Sequence, residues 1–164
     1  MLILICFFKK EGVGMKTAEE IVQKNKGEMI TVSPDSTIRE ALNTMTEKNI
    51  GAILIKDMGK IVGIWTERDL MRNVLLPDFN LDSALIKDYM TTKLHFARHS
   101  DTIYHLQDKF LGLRIRHLLV KKKDQILGLV SSGDVSRHDL KEKTDELESL
   151  NKIINWEYYE NWHW

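Results

Sequence analysis

Two short stretches carry residue types suited to holding a polar small molecule, Thr66-x-x-Asp69 and Ser131-x-x-Asp134. A carboxylate can accept from two adjacent hydroxyls at once through charge-assisted bonds, and a hydroxyl three residues earlier adds a second polar contact. Each stretch stands where an apolar strand gives way to a helical pattern. Free backbone N–H groups and the positive end of the helix dipole there favour phosphate. Arg72 and Arg137 follow each Asp by three residues, on the same helix face. Arg116, His117, Arg68 and His138 are further candidates for holding an anion. The same Ser/Thr-x-x-Asp spacing is also a capping box, which only stabilises a helix start. Capping and ligand binding are compatible roles.

The two stretches belong to copies of one unit. Gly63-Ile64-Trp65-Thr66-Glu67-Arg68-Asp69 recurs 65 residues later as Gly128-Leu129-Val130-Ser131-Ser132-Gly133-Asp134. The same shift relates Thr37-Ile38 to Thr102-Ile103, Ile50 to Ile115, Leu54 to Leu119, Ile61 to Ile126 and Arg72 to Arg137, with no gap from Met29 to Leu75. A fixed period held that long means one structural unit used twice. The copies differ where Arg116-His117 stands opposite Gly51-Ala52, which predicts two unequal sites: small residues leave room for a base, and Arg116-His117 can reach a phosphate.

The elements that must position these residues follow from periodicity. Residues 17–24 read as a short helix and 29–32 as a strand running into the turn Ser33-Pro34-Asp35-Ser36. Ile38, Ala41, Leu42 and Met45 make one helical face. Ala52-Ile53-Leu54-Ile55 is a continuous apolar run, expected for a buried strand. Asp57-Met58-Gly59-Lys60 is a hairpin turn, 61–65 the return strand, and Thr66 opens a helix through Leu75. Pro77-Asp78-Phe79-Asn80 falls in a linker. The second copy predicts a leading helix at 83–90, strand 94–97, helix 101–112, strand 117–120, turn 121–125, strand 126–130 and helix 132–140, continuing beyond Leu140. The fold class is therefore α+β, with two β-α-β-β-α repeats related by a pseudo-twofold axis. The expected division is an N-terminal arm 1–14, repeat one 15–76, linker 77–82, repeat two 83–140, and a helical aromatic tail 141–164. Each unit is too small to stand alone, and two packed face to face solve this. Three of the four tryptophans lie in the tail, where Trp156, Tyr159 and Trp162 can share a helix face after Leu147, Leu150 and Ile154. That face is expected to pack on the core or on a second chain.

Composition narrows the classes. With 24 basic and 24 acidic residues the chain lacks the basic field that nucleic-acid binding needs. The apolar stretch Met1–Phe8 is too short to span a membrane and lacks the features of a signal peptide. Two readings of residues 1–14 stay open: translation begins at Met15, or a short apolar arm packs on a neighbour. The single Cys6 fits a reducing compartment. His95 and His99 fall in a strand and its turn without metal-ligand spacing, so no metal is expected. No nucleophile–base set, P-loop or His-Glu-x-x-His motif is present. Lys121-Lys122-Lys123 reads as a solvated turn.

The duplicated Gly-apolar-apolar-Ser/Thr-x-x-Asp motif on a β-α-β-β-α unit resembles the CBS domain (cystathionine-β-synthase type). Gly63 to Leu70, and Arg114 to Leu118 with Gly128 to Val135, resemble the motifs of stand-alone bacterial CBS pairs, over about residues 17–140. The resemblance implies a non-catalytic, cytoplasmic regulatory module that binds an adenosine ligand between its copies. The expected ligands are AMP, ADP or ATP, with S-adenosylmethionine or NAD ranked after them. It implies that Asp69 and Asp134 bind the ribose hydroxyls, with Thr66 and Ser131 on ribose or phosphate beside the motif residues Ile64 and Leu129. The base would lie against the opposite copy: Met29, Ile30, Ile50, Gly51 and Ala52 for Asp134, and Leu94, His95, Ile115, Arg116 and His117 for Asp69. Arg72 and Arg137 would meet phosphate. A homodimer and an effector protein in trans are implied; a nucleic-acid or membrane partner is not. Two other readings stay open: an interaction module with a degenerate cleft that acts through the aromatic tail, and an enzyme subunit that needs another chain.

Overall fold

The computed structural model describes residues 16–25 and 29–160, with only the backbone course for 153–160. The first repeat comprises β1 (Thr31–Val32), α2 (Ile38–Lys48), β2 (Ala52–Asp57), β3 (Lys60–Thr66) and α3 (Glu67–Asn73), preceded by α1 (Ala18–Lys24). The second comprises β4 (Phe96–Arg98), α4 (Ile103–Leu113), β5 (His117–Lys122), β6 (Gln125–Ser131) and α5 (Ser132–Glu160). Each repeat builds a three-stranded sheet, β1-β2-β3 or β4-β5-β6, with a parallel first pair and an antiparallel second pair. The registers Ala52↔Thr66 and His117↔Ser131 are equivalent under the 65-residue shift. So are the helix ends: α2 stops at Asn49 (φ 52°) and α4 at Arg114 (φ 53°), both left-handed.

Alternation assigns each strand residue to a face. Ile53, Ile55 and Trp65 enter one core cluster with Ile38, Ala41 and Met45 of α2. Leu118, Val120 and Val130 enter the other with Ile103, Leu106 and Phe110 of α4. The intervening residues Ala52, Leu54, Ile64 and Thr66, and His117, Leu119, Leu129 and Ser131, therefore lie on the opposite faces, where the repeats meet.

The leading segments are exchanged between the repeats. Ala18, Ile21 and Val22 of α1 belong to the second repeat's core, and Ala84 and Ile86 belong to the first repeat's core. The joining bonds match in pairs: Ile103 N donates to Lys16 O (3.2 Å) as Ile38 N does to Ala84 O (2.9 Å), and Ala18 N to Asp101 O (2.8 Å) as Ile86 N does to Ser36 O (2.9 Å). The repeated glycines mark the crossing points. A Cβ on Gly128 would lie 2.6 Å from Val22 Cγ1, and one on Gly63 would collide with the side chain of Met90.

Several expectations change. The leading helix expected at 83–90 is only a short 3-10 turn, Ile86–Asp88, because Leu85 at its start offers no capping side chain. By contrast, Thr17 and Glu20 close a full capping box on α1. The first strands are shorter than 29–32 and 94–97, so Ile30 and His95 precede them. Their carbonyls still accept from Leu54 N (3.2 Å) and Leu119 N (3.0 Å). The turn expected at 121–125 shrinks to 123–124. Lys121 and Lys122 are strand residues: Lys121 Nζ stands 5.1 Å from the Phe96 ring centroid, and Lys122 Nζ donates to Glu19 Oε1 at 2.9 Å. The helix after Ser131 runs unbroken to Glu160. The packing of the Trp156–Tyr159–Trp162 face and the fate of residues 1–14 lie outside the described residues.

The crossing points predict an ordered pair of effects. Gly128→Ala drives a methyl into stiff, β-branched Val22 and should cost about 1–3 kcal/mol as overpacking. Gly63→Ala should cost less, because Met90 is unbranched and adaptable. Denaturant unfolding of Gly128→Ala, Val22→Ala and the double variant should show favourable coupling of about 1 kcal/mol. Additive effects would mean that the approach of α1 to Gly128 does not constrain the fold.

Candidate functional site

The cleft faces of the two sheets enclose two cavities related by the repeat symmetry. Thr66 and Ser131 end their strands on the cleft side, so the helices that follow start at the cavity rims. In the first, Asp69 Oδ2 accepts from Thr66 N (3.0 Å) and Thr66 Oγ1 (2.7 Å). In the second, Asp134 Oδ2 accepts from Ser131 N (2.9 Å) and Ser131 Oγ (2.6 Å), and Ser131 Oγ accepts from Asp134 N (3.1 Å). Both motifs are therefore working caps. In both, one carboxylate oxygen is committed to the cap and the other is turned to an arginine. Asp69 Oδ1 is 3.7 Å from Arg72 Nη1, and Asp134 Oδ1 is 3.2 Å from Arg137 Nη1. The arginines are largely exposed (72% and 75%) and their carboxylates are not (15% and 23%), so these partners can swing away while the carboxylates stay fixed.

The Asp69 cavity, about 230 Å³, brings together Ile64, Thr66, Asp69 and Arg72 of the first repeat with Leu94, His95, Ile115, Arg116 and His117 of the second. The Asp134 cavity, about 330 Å³, brings together Leu129, Ser131, Asp134 and Arg137 with Met29, Ile30, Ile50, Gly51 and Ala52. Apart from His138, each residue singled out from the sequence for binding lines one of the two cavities, and each carboxylate shares its cavity with strand residues of the opposite repeat. The second volume falls at the lower end of the roughly 300–1,000 Å³ usual for small-molecule sites, and the first lies below it.

Other lining residues were not expected. Thr91, Lys93 and Arg114 join the Asp69 cavity, and Val22, Asn25 and Asn49 the Asp134 cavity. Arg114 and Asn49 carry a signal in the sequence, since they are equivalent positions just after a helix. Val22 and Thr91 carry none, because each comes from an exchanged leading segment; Thr91 N, for example, donates to Ile64 O at 2.8 Å. Of the further cations, Arg68 lines the Asp69 cavity and donates from Nη1 to Arg114 O at 3.3 Å. His138 lines neither cavity. His117 and Leu129 line both, so the cavities share a wall. His99 Nδ1 lies 3.0 Å from Glu19 Oε2, which ties α1 to the second repeat. Among the described residues, no cluster of His, Cys, Asp or Glu could hold a metal ion, and no helix is long and apolar enough to cross a membrane.

Residues 18–76 and 86–141 each match the family model for the CBS domain. Among curated proteins, the chain is 31% identical over 147 residues to the mitochondrial CBS domain-containing protein CBSX3 of Arabidopsis thaliana, covering 84% of this chain and 71% of that protein. Among solved structures, it is similar to a CBS-domain containing protein from Agrobacterium tumefaciens (TM-score 0.71, 29% identity, 76% of this chain and 99% of that one). It is also similar to the CBS domain pair of the protein MJ0100, solved with 5′-methylthioadenosine and S-adenosyl-L-methionine (TM-score 0.64, 25% identity, 76% and 95%).

The shared wall is sensitive to protons. Burial holds His117 below the ordinary imidazole pKa, the Arg116 charge adds to this, and Asp134 and Glu67 oppose it. His138 is lowered too, by burial and then by Lys16 and Lys24. A folded-state pKa below the unfolded value of about 6.5 means that the unfolded chain binds more protons just below that pH. Stability is then complete above pH 6.5 and lost as pH falls through the folded-state values. The melting temperature should drop from pH 7 to 5.5, before carboxylates such as Glu19 titrate. His117→Gln should flatten part of that drop; an unchanged slope would mean that His117 takes up its proton freely in the fold.

Proposed function

This chain belongs to the CBS-domain family, and from that premise we propose that it is a non-catalytic regulatory module whose clefts bind adenosine-containing ligands. The carrying observation is the arrangement of the carboxylates. Each has one oxygen fixed by a cap and faces apolar strand residues of the other repeat. In this reading Asp69 and Asp134 accept from the ribose hydroxyls through the oxygens now turned to Arg72 and Arg137, and those arginines move onto phosphate. Adenine lies against Ile30, Ile50 and Ala52 in one cleft, and against Leu94 and Ile115 in the other. AMP, ADP and ATP head the candidates; the compounds bound by MJ0100 share their adenosine moiety. A ligand held by a carboxylate of one repeat and a wall of the other favours one relative position of the two, which is the signal. The module acts in the cytoplasm on a partner protein, or within a homodimer.

The nucleotide reading is tested by titration. At 100 times its dissociation constant, a ligand adds about 2.7 kcal/mol, which for this size corresponds to a rise of roughly 5–11 °C in melting temperature. AMP or ATP should produce it, and GMP should produce less. Because both aspartates cap helices, Asp→Ala also costs stability of about 1 kcal/mol, so dissociation constants are the better readout. Each Asp→Ala should weaken its own cleft by about 10- to 150-fold, the worth of a charge-assisted bond. Unimpaired binding by the double variant Asp69→Ala/Asp134→Ala would leave the motifs as helix caps only.

Assembly has its own support. Tyr104 and Leu111 on α4 and Leu140 and Leu147 on α5 are large, apolar and at least half exposed. The two helices are joined by Gln107 Nε2 donating to Asp139 Oδ2 at 3.2 Å. In this reading these side chains line the contact between two copies of the chain. The parent should sediment as a dimer, and Leu111→Glu/Leu140→Glu should shift it to monomer. A parent that sediments as a monomer at high concentration would remove the homodimer from the reading.

A further inference from the structure

We propose that the two clefts divide their ligands by charge: the Asp69 cleft takes an adenosine di- or triphosphate, and the Asp134 cleft takes an adenosine compound with one phosphate or none. This rests on the adenosine reading above and adds a ligand class for each cleft. The binding motifs themselves are alike, each Ser/Thr-x-x-Asp followed three residues later by Arg, so the difference comes from the surrounding wall.

Around Asp69 stand Arg68, Arg72, Lys93, Arg114 and Arg116. Under the 65-residue shift, three of these cations have uncharged counterparts: Gly133 for Arg68, Asn49 for Arg114 and Gly51 for Arg116. Only Arg72 keeps its charge, as Arg137. Among the described residues lining the Asp134 cleft, Arg137 is the one permanent cation, and it already faces Asp134. Lys16 and Lys24 act on His138, one turn further along α5, and do not line that cavity.

The cations around Asp69 are weakly engaged. Arg116 Nη2 is 3.9 Å from Glu67 Oε2, with side chains 47% and 62% exposed, and Arg72 is 3.7 Å from Asp69. An exposed pair as long as Arg116–Glu67 contributes little, and Arg72 is itself exposed and beyond hydrogen-bond length from Asp69, so phosphate can displace both. A cluster of like charges on one rim repels itself until a polyanion arrives, and arginine forks match phosphate oxygens bidentately. A phosphomonoester carries about −1.5 to −2 at pH 7, of which one arginine offsets one charge. Each added phosphate needs another cation. The Asp69 cleft supplies these, whereas among the described residues the Asp134 cleft offers Arg137 alone.

Calorimetric titration of the full chain tests the division, with Asp→Asn variants that keep a capping oxygen while removing the charge. In Asp134→Asn, where the Asp69 cleft stays intact, ADP and ATP should bind about 10- to 150-fold tighter than AMP, the worth of one further charge-assisted contact. Arg114→Gln/Arg116→Gln in that background should abolish the preference, bringing ADP and ATP down to the affinity of AMP. In Asp69→Asn, adenosine and AMP should bind at least as tightly as ATP. Should a single-cleft variant fail to fold, the exposed pair Arg114→Gln/Arg116→Gln in the parent should remove the tight ADP phase and spare the AMP phase. Inorganic tripolyphosphate binding as tightly as ATP would overturn the nucleoside part. The same AMP-to-ATP ranking in both clefts, or the reverse assignment, would overturn the division while the adenosine reading stands. If no adenosine compound binds the parent, that reading fails and the division fails with it.

Discussion

Neither sheet is covered by its own repeat, and the reciprocal exchange of leading segments follows from that. A three-stranded sheet with only its own repeat's helices leaves apolar surface open, and that surface is closed here by the segment that begins the other repeat. Ala18, Ile21 and Val22 complete one core, and Ala84 and Ile86 the other. The exchange explains why the motifs begin with glycine. Gly63 and Gly128 lie on the helix-side face of their strands, away from the cleft, and admit Met90 and Val22 at distances that no side chain at those positions would allow. The exchange also builds the cavities, because a chain segment that crosses from one repeat to the other must pass the gap between the sheets. Thr91 and Val22 become cavity walls for that reason.

The duplicated Asp shows why choosing between helix cap and ligand site is unnecessary. A carboxylate has two oxygens, and the cap fully engages only one. Holding Oδ2 on a backbone N–H and a hydroxyl removes the side chain's freedom before any ligand arrives, so a ribose diol would meet an already oriented acceptor. Pre-ordering of this kind lowers the entropic cost of binding. The apparent competitor at the other oxygen is an exposed arginine, held loosely enough to exchange a carboxylate for a phosphate.

Much of this was legible in the sequence because the signal was doubled. The unbroken 65-residue shift matched the two motifs and the elements around them, and the resemblance to the CBS domain implied which strand residues of the other repeat lie opposite each Asp; Ala52–Ile55 read only as a continuous apolar run, with neither face assigned. The exchange was not legible. Residues 17–24 and 83–90 read as local helices attached to the units that follow them, and no local pattern records that a segment's apolar side is buried on a different unit. The second of these showed the limit of periodicity: Ala84, Leu85 and Ile86 are apolar, but without a cap they form one 3-10 turn. Lys93 and Arg114 were missed for a related reason. Both lie outside regular elements, where side-chain direction is set by tertiary packing.

Duplication produces equal sites and substitution makes them unequal, but the backbone keeps them joined. Gly51 O accepts from Glu67 N (3.2 Å) just as Arg116 O accepts from Ser132 N (2.9 Å), so the scaffold is symmetric even where the side chains diverge most. The first repeat places Ala52 where the second places His117, and that ring reaches the midline and lines both cavities. A side chain with a cavity on either flank cannot shift towards one without enlarging the other. Its neutrality is maintained by burial and by Arg116 on one side, against Asp134 on the other. A negatively charged ligand beside it would relieve the first effect, and a ligand that screens Asp134 would remove the second. The two clefts therefore share one imidazole as a common wall, with the cationic side chain of Arg116 and the carboxylate of Asp134 acting on it in opposite senses.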